Sequence, residues 1–295
     1  MLSGFLLNQK TKKQIEHYLM KPAQALLITG PNGSGKKTIS MYIASKLTII
    51  NLEKINEYPY LKIVSKPKDK QEIPIATIRG IISDLRLKPV FAKDRFLARI
   101  VFIDGADNLS EEAQNALLKA IEEPPTSTFF ILTTPSDSNV LPTIASRTTK
   151  LPVLPVSLDD TKKFYSSRFQ DSEIESAWRL SQGAVGLMDA LLNENQSHPL
   201  KIAIDAAKKL LRMNQYERIL FMDSYSADKA NLGALFDALN RILTALHHAA
   251  IESGNSNLTK KLTVSRKLTD TAVKSLDHNS SARLTGLNYV LKLPV

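Results

Sequence analysis

The chain has 295 residues, 43% of them hydrophobic and 23% charged, with a formal net charge of +10. That balance excludes a disordered or fibrous chain and supplies apolar material for two or three domains. There is no cysteine, which excludes disulfides and any cysteine-ligated zinc module. No apolar run of about 18 residues would cross a membrane, and no charged n-region and apolar h-region open the chain. A soluble cytoplasmic protein with no membrane partner is expected.

In chain order, the first informative element is Ala25-Leu26-Leu27-Ile28, a short continuous apolar run. Such a run predicts a strand buried on both faces. It leads into Gly30-Pro31-Asn32-Gly33-Ser34-Gly35-Lys36-Lys37-Thr38. Gly30, Gly35 and Lys36 satisfy the phosphate-loop pattern G-x-x-x-x-G-K-[ST], and Lys37 stands where the hydroxyl residue belongs. Ile39, Tyr42, Ile43 and Leu47 then follow at helical spacing. Strand, glycine loop and helix together point backbone N–H groups and a helix N-terminus at phosphate. A glycine-rich turn without a ligand is the bland alternative.

Next comes Arg99-Ile100-Val101-Phe102-Ile103-Asp104, an apolar strand ending in an acid. Placed beside a phosphate loop, Asp104 reads as the carboxylate that steadies Mg²⁺. The following position, where hydrolytic proteins of this type carry a water-orienting Glu, is Gly105, which has no side chain to serve as a base. Asp107 has the wrong spacing for that role. Ser110 is a helix cap with Glu111 and Glu112 in the favoured first turn. Ala113, Ala116, Leu117 and Ala120 form an apolar stripe, and Pro124-Pro125 ends the helix. Phe129-Phe130-Ile131-Leu132 is another buried strand, ending at Thr133-Thr134.

Residues 99–148 carry several motifs in fixed order: Asn115-Ala116-Leu117-Leu118-Lys119, Glu122-Glu123-Pro124-Pro125, Thr134, Leu141-Pro142-Thr143-Ile144 and Ser146-Arg147. Together they resemble the AAA+ core of the clamp-loader family of bacterial DNA polymerase III. With Ile78-Arg79 and the ending Arg283-Leu284-Thr285-Gly286-Leu287-Asn288, the chain is most similar to the delta-prime branch. The resemblance is strong over about residues 20–150 and weaker beyond. It implies an α/β AAA+ domain with a parallel sheet, a small helical lid and an all-α C-terminal collar. It implies that Arg147 is an arginine finger acting in trans on a neighbour's nucleotide, with a surface salt bridge as the bland reading. It implies that Thr134 senses the γ-phosphate, an assignment that stays open against a strand-end residue bonding backbone. The partners implied are the other loader subunits (gamma/tau and delta), a sliding clamp and primer–template DNA.

Three departures stand out against that family. Lys37 replaces the Mg²⁺ ligand, and Thr38 lies about 100° further round the helix, so it is no simple substitute. Gly105 replaces the water-orienting acid. Gly186 and Leu187 stand where active relatives place a second sensing arginine. All three lost groups act in cis, whereas Arg147 acts in trans. The expectation is a subunit that binds ATP or ADP weakly or not at all, with Asp104 a vestigial metal ligand, Mg²⁺ uncertain and no zinc. Lys37 either supplies charge in place of the metal or points to solvent. A hydrolytically active AAA+ ATPase, either a gamma/tau-like motor or a stand-alone repair protein, and an adaptor without nucleotide remain as other classes.

The remaining chain reads as helical. Domain limits are expected at 1–156, 157–198 and 199–295, the last break falling at the polar stretch ending in His198-Pro199. Leu235, Leu239, Ile242, Leu243 and Leu246 form one stripe, and His247-His248 is taken as structural. Loops are expected at residues 253–257 and 277–281. Charge divides as 21 Lys+Arg against 14 Asp+Glu over residues 1–150, 4 against 7 over 151–198, and 14 against 8 over 199–295. The basic excess suits a partner bearing phosphates. The run Lys62, Lys66, Lys68 and Lys70 reads as a solvated loop, and no basic-aromatic stripe for stacking bases is present.

Overall fold

A computed structural model describes residues 4–67, 70, 72–86, 98–195, 197–277 and 280–294. The chain divides into two compact units, Met1–Ser157 and Leu158–Val295.

The first unit runs α1 (Gln9–Met20), β1 (Ala25–Thr29), α2 (Lys36–Thr48), β2 (Leu61–Ser65), α3 (Ile75–Arg86), β3 (Arg99–Asp104), α4 (Glu111–Glu122), β4 (Thr128–Thr134), α5 (Pro142–Arg147) and β5 (Thr149–Pro152). The strands form one sheet in the order β2-β3-β4-β1-β5. Every pairing is parallel, with Leu27 opposite Leu132, Phe102 opposite Ile131 and Leu26 opposite Thr149.

Alternation along the central strands sends side chains to two separate cores. Leu26, Ile28, Ile100, Phe102 and Ile131 meet Ile15 and Tyr18 of α1 and Ile39 and Ile43 of α2. Leu27, Val101, Ile103, Phe130 and Leu132 meet Ile78 of α3, Leu117 of α4 and Ile144 of α5. Helices on both faces explain why β1, β3 and β4 read as unbroken apolar runs. The helix starts follow local chemistry. Asn8 caps α1, and Ser110 caps α4 as expected, by accepting from the Ala113 N–H.

Two strands carry no apolar run. β2 lies at one edge, with Lys62 and Ile63 exposed and only Val64 buried, and β5 lies at the other with only Leu151 buried. The stretch expected to be a solvated loop at Lys62 therefore contains an edge strand, whose exposed Lys62 blunts the open edge. Lys62 pairs loosely with Asp84 at 3.9 Å. Lys68 lies outside the described residues.

The second unit is all helical: α6 (Leu158–Tyr165), α7 (Asp171–Ser181), α8 (Val185–Leu192), α9 (Pro199–Arg212), α10 (Gln215–Tyr225), α11 (Lys229–Glu252), α12 (Ser256–Asp277) and α13 (Ala282–Lys292). The helices on either side of the expected break at 198/199 share one apolar cluster. Ala184 and Leu187 pack in it with Ile204, Leu210, Leu235, Phe236 and Leu239. Buried Arg241 of α11 also donates to the Ser181 carbonyl at 3.0 Å. Four members of the α11 stripe are buried, while Leu246 is exposed. The loop expected at 253–257 is shorter, because α12 begins at Ser256 and Gly254 makes the turn at φ +68°. Residues 278 and 279 of the next expected loop lie outside the described residues, as does Gln196. His247 bonds Thr263 at 3.1 Å within the helical packing.

Candidate nucleotide site and an exposed arginine

The carboxyl ends of β1, β3 and β4 carry the residues singled out by motif. β1 ends at Thr29, and the loop turns at Gly30, whose N–H donates to the carbonyls of Thr134 and Pro135, both at 3.2 Å. A Cβ at Gly30 would lie 3.0 Å from the Val153 carbonyl oxygen, and Gly33 and Gly35 have φ of +82° and +87°. Glycine is needed here for close approach and for the left-handed turn. Ser34 is buried within the loop, and its Oγ has no hydrogen-bond partner.

Gly35 is the N-cap of α2 and supplies no side-chain cap. The first-turn amides of α2 thus lack the side-chain acceptor that α1 and α4 have, the condition that favours an anion. Lys36 folds back over the loop. Its Nζ donates to the Gly30 carbonyl at 2.6 Å and to the Pro31 carbonyl at 3.1 Å. Burial lowers its pKa, against the opposing pull of Asp107 and Asp104. Pro31, Asn32 and Thr38 are exposed.

Lys37 and Asp104 come together. Lys37 Nζ stands 3.7 Å from Asp104 Oδ2, and Thr133 Oγ1 donates to Asp104 Oδ1 at 3.1 Å. Thr133 Oγ1 also accepts the Gly105 N–H at 2.9 Å. Both oxygens of the carboxylate therefore face groups of this chain. A divalent cation in a phosphate loop calls for a hydroxyl at position 37 and a free acid at 104. Neither condition is met, so these residues do not fit Mg²⁺ in its usual place.

Gly105 has φ +85° and ψ +68°, a conformation costly for L-residues. Its carbonyl closes a 3₁₀ turn over Ala106–Asn108 by accepting from Asn108 N. Asp107, in that turn, interacts with Lys36 and Thr134. Its Oδ1 is buried and unpartnered, and desolvation raises its pKa. Sequence spacing gave Asp107 no role, and only the turn geometry brings it to this place. Thr134 is fully buried, with its Oγ1 donating to the Ser136 carbonyl at 2.9 Å.

Arg147 ends α5, with its side chain 42% exposed. Its Nε pairs with Glu122, at the end of α4, and its guanidinium donates to the Thr143 carbonyl at 3.2 Å. In the second unit, Leu187 is wholly buried in the helical core. Among the described residues no group of three or more His, Cys, Asp and Glu is arranged to hold a metal, and no helix is long and apolar enough to cross a membrane.

A five-stranded parallel sheet, a phosphate loop between β1 and α2, an acid ending β3 and a polar residue ending β4 define a P-loop α/β domain of the AAA+ class. A family model described as DNA polymerase III, delta subunit, matches residues 7–157, about half of the chain. The chain belongs to the clamp-loader AAA+ family. It is 34% identical over 134 residues to the DNA polymerase III subunit tau of Bacillus subtilis, covering 43% of this chain and 24% of that protein. It is 30% identical over 115 residues to the delta-prime subunit of Haemophilus influenzae, covering 39% and 28%. A replication factor C small subunit of Thermoplasma volcanium matches at 26% over 265 residues, covering 85% and 74%. The chain thus spans about a quarter of the length of the tau and delta-prime relatives. A DNA polymerase III gamma subunit-related protein of Thermotoga maritima shares the fold, with a TM-score of 0.57 at 18% identity over 96% of this chain and 98% of that one.

Proposed function

We propose that this chain is a delta-prime-like subunit of a DNA polymerase III clamp loader, deficient in hydrolysis itself and completing a neighbouring subunit's ATPase site through Arg147. The observation that carries this reading is an asymmetry within one domain. The cis machinery is disabled: Lys37 stands where a metal-ligating hydroxyl is needed, and Gly105 holds a left-handed backbone where an acid is needed. The trans element is exposed on the surface at the end of α5. An arginine so presented can stabilise charge on a neighbour's transferring phosphoryl group.

In this reading residues 157–198 form the lid and residues 199–295 the collar through which the subunits assemble. The partners are gamma/tau and delta subunits, a sliding clamp and primed DNA, and the net charge of +10 suits the last of these. A gamma/tau-like motor is the second reading, supported by the tau relative at 34% identity. It requires turnover that Lys37 and Gly105 oppose.

The deciding experiment compares Arg147→Ala with Lys36→Ala in the same reconstituted loader. Arg147→Ala should lower ATP turnover at the adjacent site by roughly 10³–10⁵-fold, with less effect on a total rate to which other sites contribute. Lys36→Ala should leave the rate nearly unchanged. The reverse pattern overturns the proposal in favour of the motor.

A further inference from the structure

We infer that the Lys37 ammonium occupies the place of the divalent cation, so that the loop takes a nucleoside di- or triphosphate free of metal. The inference is independent of the trans role of Arg147.

A metal in such a loop does two things. It would be held between a hydroxyl at the position of Lys37 and an acid at the position of Asp104, and it would bring positive charge to the phosphate oxygens. Lys37 does the first by itself, since its chain position is that of the hydroxyl and its Nζ lies 3.7 Å from Asp104 Oδ2. With 63% of its side chain exposed, the ammonium is also accessible to a ligand. Thr133 fixes the other carboxylate oxygen, which holds Asp104 in register for this pairing. A hydrated metal competing for Asp104 would have to displace a cation tethered to the first turn of α2.

The remainder of the loop retains a capacity for phosphate. The N-terminus of α2 has no side-chain cap. Ser34 Oγ, in a residue only 5% exposed and turned toward Gly30, has no hydrogen-bond partner. A buried hydroxyl without a partner is costly, and an arriving acceptor oxygen would satisfy it. Lys36 has to leave the Gly30 and Pro31 carbonyls to meet the same phosphates. Two lysines then face the polyphosphate, one from the usual position and one from the metal's.

The test is calorimetric titration of the full chain with ADP and with ATP, in millimolar Mg²⁺ and again in EDTA. Binding should be no weaker in EDTA than in Mg²⁺, and for ATP tighter, because Mg²⁺ in solution holds the phosphate oxygens that the loop would take. Lys37→Ala should weaken binding about tenfold in EDTA. Lys37→Ser should make binding metal-dependent, with a loss of about tenfold or more on chelation. Because Lys37 is exposed, neither variant should shift the melting temperature. Three results would each overturn the inference: a tenfold loss on chelation in the parent chain, affinity in EDTA indifferent to Lys37→Ala, or no binding at millimolar nucleotide in either condition. None of these would alter the expectation for Arg147 in the reconstituted loader.

Discussion

Glu122, the first acid of the Glu-Glu-Pro-Pro segment, is ion-paired with Arg147 across the ends of α4 and α5. The two side chains are 44% and 42% exposed, so the pair contributes little to folding. Exposed pairs of this sort are worth about 0–1 kcal/mol. What the pair does is orient a long side chain. Arg147 is also held by the Thr143 carbonyl at 3.2 Å and by Ser146 Oγ at 3.4 Å. The guanidinium is thereby displayed in one direction from a short helix.

Glu122→Gln should thus act on catalysis in the assembled ring and not on stability. Its melting temperature should stay within about 2–4 °C of the parent, the shift that 1 kcal/mol produces in a domain of this size. Turnover at the neighbouring site should fall, but by less than with Arg147→Ala, and Glu122→Asp should recover part of the loss. Equal losses for Glu122→Gln and Arg147→Ala would show that Glu122 does more than position the arginine.

Restoring the missing acid should not restore hydrolysis. Gly105 has φ +85°, and a Cβ there would stand 2.5 Å from Asn108 Nδ2. The flexible amide can move aside, but the left-handed backbone costs a side-chain-bearing residue about 1–2 kcal/mol. Gly105→Glu should accordingly lower the denaturation midpoint and leave the isolated chain without ATP turnover. Combining it with Lys37→Ser is the stronger test, because the metal ligand and the acid are then both present. Robust turnover by the double variant would show that the turn tolerates the acid in a working geometry.

Asp107 offers a pH-dependent check on the site. Its carboxyl is pushed up by desolvation, only partly relieved by Lys36 and Thr134. A carboxyl whose folded pKa exceeds its unfolded value favours the fold when protonated. That contribution is complete below the unfolded value, near 4, and is lost as pH rises through the folded value. Asp107→Asn should therefore be stability-neutral or stabilising at pH 7 and relatively less favourable near pH 4. Thermal melts of both proteins across that range measure the difference. Lower stability of the variant at pH 7 than at pH 4, relative to the parent, would mean that the ionised carboxylate is the form the fold prefers.

In the helical unit the informative position is Gly286. A Cβ there would stand 2.8 Å from Met222 Cγ and Sδ, where α13 crosses the buried face of α10. Met222 is fully buried and must shift to make room. Gly286→Ala should destabilise the chain by about 1–3 kcal/mol, the usual cost of overpacking. In a Met222→Ala background, where the obstructing side chain is already gone, Gly286→Ala should cost less than in the parent, as chemical denaturation of the single and double variants would show.

The sequence made some elements legible because a single physical cause dominated them. β1, β3 and β4 are covered on both faces, so their residues are apolar without interruption. β2 and β5 escaped notice because an edge strand needs only one buried residue, Val64 or Leu151, and periodicity has nothing to act on. The phosphate loop and Asp104 were visible as motifs because backbone approach demands glycine and spacing is short. The pairings Lys37 with Asp104 and Glu122 with Arg147 were not visible. Each joins side chains on different elements, and the direction of a long side chain is set by tertiary packing. The break expected after the lid rested on polar composition alone. A buried cluster spanning Leu187 and Phe236 leaves no trace in the polarity of the segment between them.

The ammonium beside Asp104 also changes how the site answers to its surroundings. Magnesium binds ATP more tightly than ADP, because the longer phosphate chain carries more charge. In an ordinary loop the metal complex is the ligand, and a rise in magnesium favours occupancy. Where the cation belongs to the polypeptide, magnesium in solution competes with the site for the same phosphate oxygens. Rising magnesium then empties the loop, of ATP before ADP. A loop of that kind would keep its nucleotide best under the ionic conditions in which a magnesium-dependent loop holds its own least well.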